Sequence, residues 1–451
     1  QIAGGAAQPP DRPGMNPVTY RRVFPMLFLG LMLLGLLGLS ACGVLPAAQT
    51  PAPVVPTAVV SDGPAQPTAA PVEPVATTRL DLWVPPQFNP DGSAPGARLL
   101  RQRLDEFMLD NPGVEIVVRV RPASGPGSLL EFLAATSLSA PENLPAVIAL
   151  PRVDLEVAAV KGLIFPLDNL TPLLDANEWY PYAYQLALLQ GQTFGAPLAG
   201  DALVLVYRPI STGPLPGTWA EILARGLPLA FPAADPQALF FQSLYLSTGA
   251  DYRDLQNRPA YDLEKIEEIF QLIDQATQQG IFPYWLTDMT TYRQGWDAFV
   301  EKRVDWAVVW ASDYLSTLPA DASAAPLPSL GEKPSALATG WFWAVAEPNP
   351  ARQELAARLV EVLSAGEFLD EWNALTGYLP VHVSTLAAWK DPAMRTLVQT
   401  LAETAFPQPD AELSAPITPV LADLVQQIVK GLTDPRQAVT EFQNRVESPQ
   451  P

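Results

Sequence analysis

The chain of 451 residues carries 27 Lys and Arg against 47 Asp and Glu, a formal charge of −20, with a single histidine, His382, and a single cysteine, Cys42. An acidic surface repels a phosphate backbone, so nucleic acid is excluded as a partner. One His and one Cys leave zinc, copper and haem without their usual ligands and rule out a Cys–His catalytic pair; no cofactor is expected, and only a carboxylate-bound metal stays open.

Residues 1–14 precede Met15, the expected translation start, and are set aside from the fold. An apolar run, Val23 to Leu39, is preceded by Arg21 and Arg22 and followed at once by Ser40, Ala41 and Cys42. A positive flank, an apolar core short of a comfortable bilayer span and small residues before a cut read as an export signal over residues 15–41. Leu39-Ser40-Ala41-Cys42 also resembles the bacterial lipobox, which implies that the Cys42 thiol receives a diacylglyceryl group and that the signal is cut just before it. A thioether accounts for a lone cysteine in an oxidising compartment, and two or more acyl chains anchor stably where one does not. Residues 42–78 read as a tether. From Pro46 to Thr77 they are mostly Pro, Ala, Thr and Val, and at about 3.1 Å per residue such a chain spans at most roughly 100 Å. No later apolar run approaches bilayer length, so the rest is expected to be water-soluble and held outside the membrane.

From Thr78 to Val446 the composition turns to aromatics and periodic apolar positions. Roughly 370 residues are more than one core usually serves, which predicts two lobes. Leu80 to Trp83 reads as a strand, Leu100, Leu104, Phe107 and Met108 as one face of a helix, and Val114 to Val120 as a second strand. This βαβ rhythm predicts a parallel α/β sheet. Further stripes run through Leu263, Ile266, Ile269, Phe270 and Ile273 before Gly280, and through Val420, Leu421, Leu424, Val425 and Ile428 before Gly431. Another, Leu355, Leu359, Val360 and Leu363, follows the cap signal Asn349-Pro350 and ends before Gly366. These stripes are core.

A series of short segments from Leu80 to Pro380, taken in order, resembles the extracellular solute-binding proteins of ABC importers, family 1, the group that includes maltose-binding protein. Leu80 to Trp83 and then Glu106-Phe107-Met108-Leu109-Asp110-Asn111-Pro112-Gly113-Val114 look like its first strand and "E-F-x-x-x-N-P-G-V" entry to strand two. Leu144 to Ile148 with Gly162 to Asp168 resembles "P-D-V … G-x-L-x-P-L-D", with Ala146 in place of Asp. Gly191 to Pro197 looks like "G-K-x-Y-G-x-P", and Leu203 to Tyr207 like the strand ending in "Y-N", with Arg208 in place of Asn. Thr218 to Leu223 is close to "T-W-x-E-L". Pro326-Leu327-Pro328, Gly340-Trp341 and Thr376-Gly377-Tyr378-Leu379-Pro380 match "P-L-P … G … G-x-x-P".

The resemblance implies a two-lobed α/β Venus-flytrap fold, type II, with the ligand between lobes. Lobe one would comprise residues 79–190 and 326–366 and lobe two residues 191–325 and 367–446, the chain leaving lobe one near Phe194 and returning near Pro326. It implies a monomer that shuts around a small-molecule solute and presents it to permease subunits. A sugar ring has apolar C–H faces and a rim of hydroxyls, so it calls for aromatic plates with carboxylates and amides around them. By their places in the matching motifs Trp83, Trp310 and Trp341 are the stacking candidates, while Phe240 and Tyr378 fall near cleft-lining positions. Asp154 and Asp201 are the candidate acids, with Gln87 joining from the loop after Trp83; Trp343 reads as core. The solute is expected to be a sugar or oligosaccharide, with a polyamine, phosphoester or other charged solute as the alternative. A cell-surface glycan hydrolase is the alternative from another class. No paired carboxylates, G-x-S-x-G elbow or phosphate-binding glycine loop mark such an enzyme.

Overall fold

A computed structural model describes residues 77–174, 178–256, 258–331, 336–383 and 386–447. Cys42, the expected signal over 15–41 and nearly all of the tether lie outside the described residues. The first lobe opens as its periodicity predicts. Strand β1 (Thr78–Val84), helix α1 (Ala97–Asp110), β2 (Val114–Val120), α2 (Leu129–Ser139), β3 (Val147–Pro151) and α3 (Arg152–Val160) follow one another. β1 runs parallel to both neighbours, Leu80 opposite Ile116 and Leu82 opposite Val147. Leu100, Leu104 and Phe107 turn the apolar face of α1 inward, and Ser128 caps α2 by accepting the Glu131 N–H. Next come α4 (Pro181–Ala187) and the short hairpin β4 (Leu188–Leu189) and β5 (Gln192–Thr193).

Strand β6 (Ala196–Tyr207) then carries the chain across. The second lobe comprises α5 (Pro209–Thr212), α6 (Trp219–Arg225), β7 (Leu229–Ala230), α7 (Leu239–Ser247), α8 (Leu263–Gln278), α9 (Tyr292–Val300), β8 (Trp306–Trp310), α10 (Ala311–Thr317) and β9 (Ser323–Pro326). β10 (Ala336–Val345) returns the chain to α11 (Pro350–Leu363) and α12 (Gly366–Thr376). The remainder is α13 (Pro392–Thr404), β11 (Ala405–Pro407), α14 (Ala411–Ser414), α15 (Thr418–Val429) and α16 (Pro435–Glu447), the last two packing on α8.

The strands form a sheet ordered β2-β1-β3-β10-β6-β8-β7, with β11 on β10 and β9 on β6. β6 changes partner along its length: Ala196 to Ala202 pair with β10, and Leu203 to Tyr207 pair with β8. β10 does the same, with Trp341 to Val345 on β3 and Ala336 to Ala338 on β11. These two strands are the crossing between lobes.

The return point differs from the sequence expectation. Pro326 lies opposite Val204 within the second lobe's sheet, and the residues after it stay there. The Trp219 indole N–H donates to the Pro328 carbonyl at 2.6 Å, and Ser329 and Leu330 bond to Ser247 at 3.0 Å each. Prolines end an edge strand because they lack a donor, so this Pro-Leu-Pro marks the end of β9, and the return to the first lobe is made by β10.

Gly200 sits at the crossing with the Tyr182 hydroxyl over its Cα, where an added methyl group would overlap that oxygen. The same hydroxyl donates to the Pro380 carbonyl at 2.8 Å, so it cannot turn away without losing a buried bond. Gly200→Ala should therefore lower the unfolding free energy by about 1–3 kcal/mol, visible as a lower urea midpoint; an unchanged midpoint would mean that α4 yields at no cost.

Candidate ligand-binding cleft

Pairing at the crossing decides which side chains share a face. The register slips by one between Trp341 and Phe342, so β6 carries an extra residue, Leu198, there. Beyond it Ala199 lies opposite Trp341, Asp201 opposite Thr339, and Leu203 opposite Trp310. Strand side chains alternate, which puts Trp341, Asp201 and Trp310 on one face, the front. Gly200 turns towards Tyr182 of α4, and Gly195 towards Leu155 of α3 and Phe342. Helices α3 and α4 therefore cover the rear.

Asp201 is buried, and its partners are neutral. Its carboxylate accepts the Ser312 hydroxyl at 2.5 Å, the Ser312 N–H at 3.1 Å and the Ala202 N–H at 2.9 Å. Ser312 is in the first turn of α10, which begins where Trp310 ends β8. Burial pushes the Asp201 carboxyl from its usual 3.8 up to about 7, with the Ser312 bonds acting against the rise and the nearby Asp313 charge adding to it. Asp313 is itself raised by burial, which Arg293, 3.2 Å away, opposes.

Tyr378 reaches the same place from α12. Gly377 ends that helix in the left-handed region at φ 77°, close against the Ser316 N–H, where a side chain has no room. The Tyr378 phenol is raised by burial and then by Asp201 and Asp313, while a hydrogen bond with the Gln87 side chain pulls it down. Gln87 stands exposed in the turn after β1, and its neighbour Phe88 packs edge-on against Trp341 and Trp372 at 5.1 Å and against Tyr378 at 5.8 Å. Trp310 leans on Tyr292 at 5.5 Å. Trp310, Trp341 and Tyr378 each keep part of their surface exposed. A buried carboxylate among three part-exposed aromatic rings can accept hydroxyls while the rings cover an apolar face.

A hollow of about 1080 Å³ lies behind the ribbon, lined by residues such as Arg152, Gln185, Gln190, Arg253, Phe406 and Asp410. It contains none of the front residues. Its tyrosine, Tyr252, is buried and stacked on Tyr245 at 4.8 Å, so the part-exposed aromatic plates are on the front.

The model for bacterial extracellular solute-binding proteins matches residues 102–396, well over half the chain. The chain belongs to that family. Among solved structures, this solute-binding protein is similar to the cyclic alpha-maltosyl-1,6-maltose binding protein of Arthrobacter globiformis. That match has a TM-score of 0.68 and 18% identity, covering 82% of this chain and 98% of the other. The sugar-binding protein MalE of Xanthomonas citri gives a TM-score of 0.65 at 18% identity, covering 82% and 96%. Maltose-bound T. maritima MalE3 gives 0.63 at 18% identity, covering 82% and 99%. These are two-lobed binding proteins, and the α/β fold is theirs. No curated protein sequence matches. Among the described residues, no helix is long and apolar enough to cross a membrane, and no three metal-ligating side chains come together.

Within the binding protein's fold, Gln87, Asp201, Trp310, Trp341 and Tyr378 stand on the front of the crossing. Trp83, Phe240 and Asp154 do not join them. Trp83 is 0% exposed and covered by Phe132 of α2 at 5.1 Å; its face of the sheet is packed under that helix, so this indole is core. Phe240 is 2% exposed and packs on Phe231 at 4.3 Å, Trp219 at 5.7 Å and Phe282 at 6.0 Å, the core of the second lobe. Asp154 sits in the first turn of α3, its carboxyl pushed up to about 6 by burial alone, with none of the front charges contributing. Ser312, Asp313, Tyr292, Phe88 and Trp372 complete the front, and sequence reasoning missed them. Ser312-Asp313 right after an apolar strand reads as an ordinary helix start, and only the pairing of β6 with β8 brings it to Asp201.

A carboxyl raised on folding binds more protons folded than unfolded, so it lowers stability as pH rises from about 4 to about 7. Asp201→Asn, which keeps the acceptor oxygen and removes the charge, should melt several degrees above the unaltered protein at pH 8. The gap should shrink at pH 4. Equal melting at both values would show that the carboxylate carries no burial cost.

Proposed function

We propose that this protein captures a sugar or oligosaccharide by closing its lobes over the front of the β6–β10 ribbon and hands it to the permease subunits of an ABC importer. The arrangement of Trp310, Trp341 and Tyr378 around the Asp201 carboxylate carries this reading. A pyranose offers its C–H face to the rings and its hydroxyls to Asp201 and Gln87. Sugars named for the similar structures, maltose among them, supply the first compounds to try. The protein acts as a monomer on the outer face of the cytoplasmic membrane, anchored by lipid on Cys42, and it performs no chemistry on its solute.

A second reading has one observation in its favour. Asp313 is near enough to Asp201 to raise its carboxyl, with neutral donors on Asp201 and Arg293 on Asp313, and two such acids suit a cationic solute such as a polyamine.

A thermal-shift screen with maltose, maltotriose, spermidine and glycerol 3-phosphate separates these. A ligand at a hundredfold excess over its dissociation constant stabilises by about 2.7 kcal/mol. Stabilisation by spermidine alone would end the sugar reading, and release of reducing ends from a glycan would end the binding-only one. Trp341→Ala and Trp310→Ala should each weaken binding of the stabilising sugar about tenfold or more, with the cooperative melt kept; undiminished binding would place the solute elsewhere. For the anchor, Cys42→Ser should lose incorporation of labelled fatty acid and leave the membrane fraction or stay unprocessed. A variant still acylated would refute it.

A further inference from the structure

The rear of the ribbon carries a second junction between the lobes, made of charge. Arg152, the first residue of α3, is 2% exposed, and its Nη2 lies 2.7 Å from both Glu156 Oε1 and Asp410 Oδ1. The other Asp410 oxygen, Oδ2, accepts from Arg253 Nη2 at 3.3 Å. Glu156 Oε2 accepts the Ala411 N–H at 2.9 Å, so α3 holds this connection at two successive residues. Arg152 and Glu156 belong to the first lobe and Arg253 to the second. The connection is tied to the second lobe again where the Gln408 amide donates to Gln237 Oε1 at 2.8 Å. One carboxylate is thus gripped from both lobes, at the wall of the rear hollow and on the face opposite Asp201.

Rotation about a ribbon that brings the front edges together draws the rear edges apart. The span from Arg152 to Arg253 must therefore lengthen as the front shuts, which stretches one or the other of their bonds to Asp410. Separating ions at short range costs free energy, and more so where Arg152 is sealed from water. We propose that the Arg152–Asp410–Arg253 ion pair is a brake on lobe closure, weighting the ligand-free protein towards its open form and thereby weakening the front site's affinity. Only that effect on affinity rests on the solute-capture reading; the brake belongs to the protein without ligand. Asp410 is 44% exposed, so salt reaches the pair: the screening length falls from about 10 Å at 0.1 M to about 3 Å at 1 M.

The test measures a distance across the front by pulsed electron resonance between spin labels at Ser93→Cys and Thr290→Cys, in the full chain carrying Cys42→Ser. Both positions are exposed, Ser93 in the loop between Gln87 and α1 and Thr290 just ahead of α9. Asp410→Asn, equal in shape and without charge, should raise the closed-to-open ratio about three- to tenfold and shift the distances shorter; Arg253→Gln should do so to a smaller degree. Salt at 1 M should shift the unaltered labelled protein the same way and leave Asp410→Asn where it is. Unchanged or longer distances in a cooperatively melting Asp410→Asn would overturn the proposal. Should that variant fail to fold, the salt arm decides, and the absence of a salt-dependent shift would overturn it. If the distances shift as expected but maltotriose binds neither protein, the sugar reading fails and the brake stands.

Discussion

Two antiparallel strands hold this protein's lobes in relation to each other, and their register governs what each face can do. The extra residue at Leu198 in β6 keeps both halves of the strand useful. Ahead of it Gly195 turns towards α3, and after it Asp201 and Leu203 turn away from the rear helices. Without the slip, alternation would send Asp201 into α4 and bring a glycine to the front. A single inserted residue thus decides that the buried acid lies on the face of Trp310 and Trp341, while Tyr182 closes over bare backbone on the other side.

The front of the crossing carries a burial cost at Asp201. A buried carboxylate is normally paired with a cation, yet Asp201 has only a serine and two backbone N–H groups. Those donors fix its orientation without neutralising it, so lone pairs remain for a hydroxyl. The aromatic groups show the same division of labour. Phe88 and Trp372 are buried and brace Tyr378 and Trp341 at close range, so the two part-exposed rings are held by packing before any solute arrives.

Much of this was legible in the sequence because it is periodic. The βαβ opening, the cap at Asn349 and the stripes of α8, α11 and α15 follow from spacing and end signals that need only local chemistry. Asp201, Trp310 and Trp341, which the order of short motifs singles out, share one face of the crossing. Trp83 and Trp310 show where that reasoning stops. Each stands at or near the end of a strand, but Phe132 of α2 covers Trp83 while Trp310 lies at the crossing opposite Leu203, and neither arrangement is written in its own segment. Phe240 failed for a related reason: Leu239 to Tyr245 of α7 are buried all round, so no face distinguishes cleft from core. Pro326 misled because a proline ends a strand equally well at a sheet's edge and at a crossing.

The shared strands also bear on how the chain acquires its structure. β3 in the first lobe is flanked by β1 and β10, and Val147 has Val345 as its partner, so the whole second lobe must be synthesised before that edge can be completed. β6 likewise pairs with strands that come much later. Neither half can finish its sheet as an independent unit during synthesis, and contacts of such long sequence separation form slowly. For a member of an extracellular family this slowness is an asset. A chain slow to complete its sheet stays open longer to any step that needs an extended polypeptide.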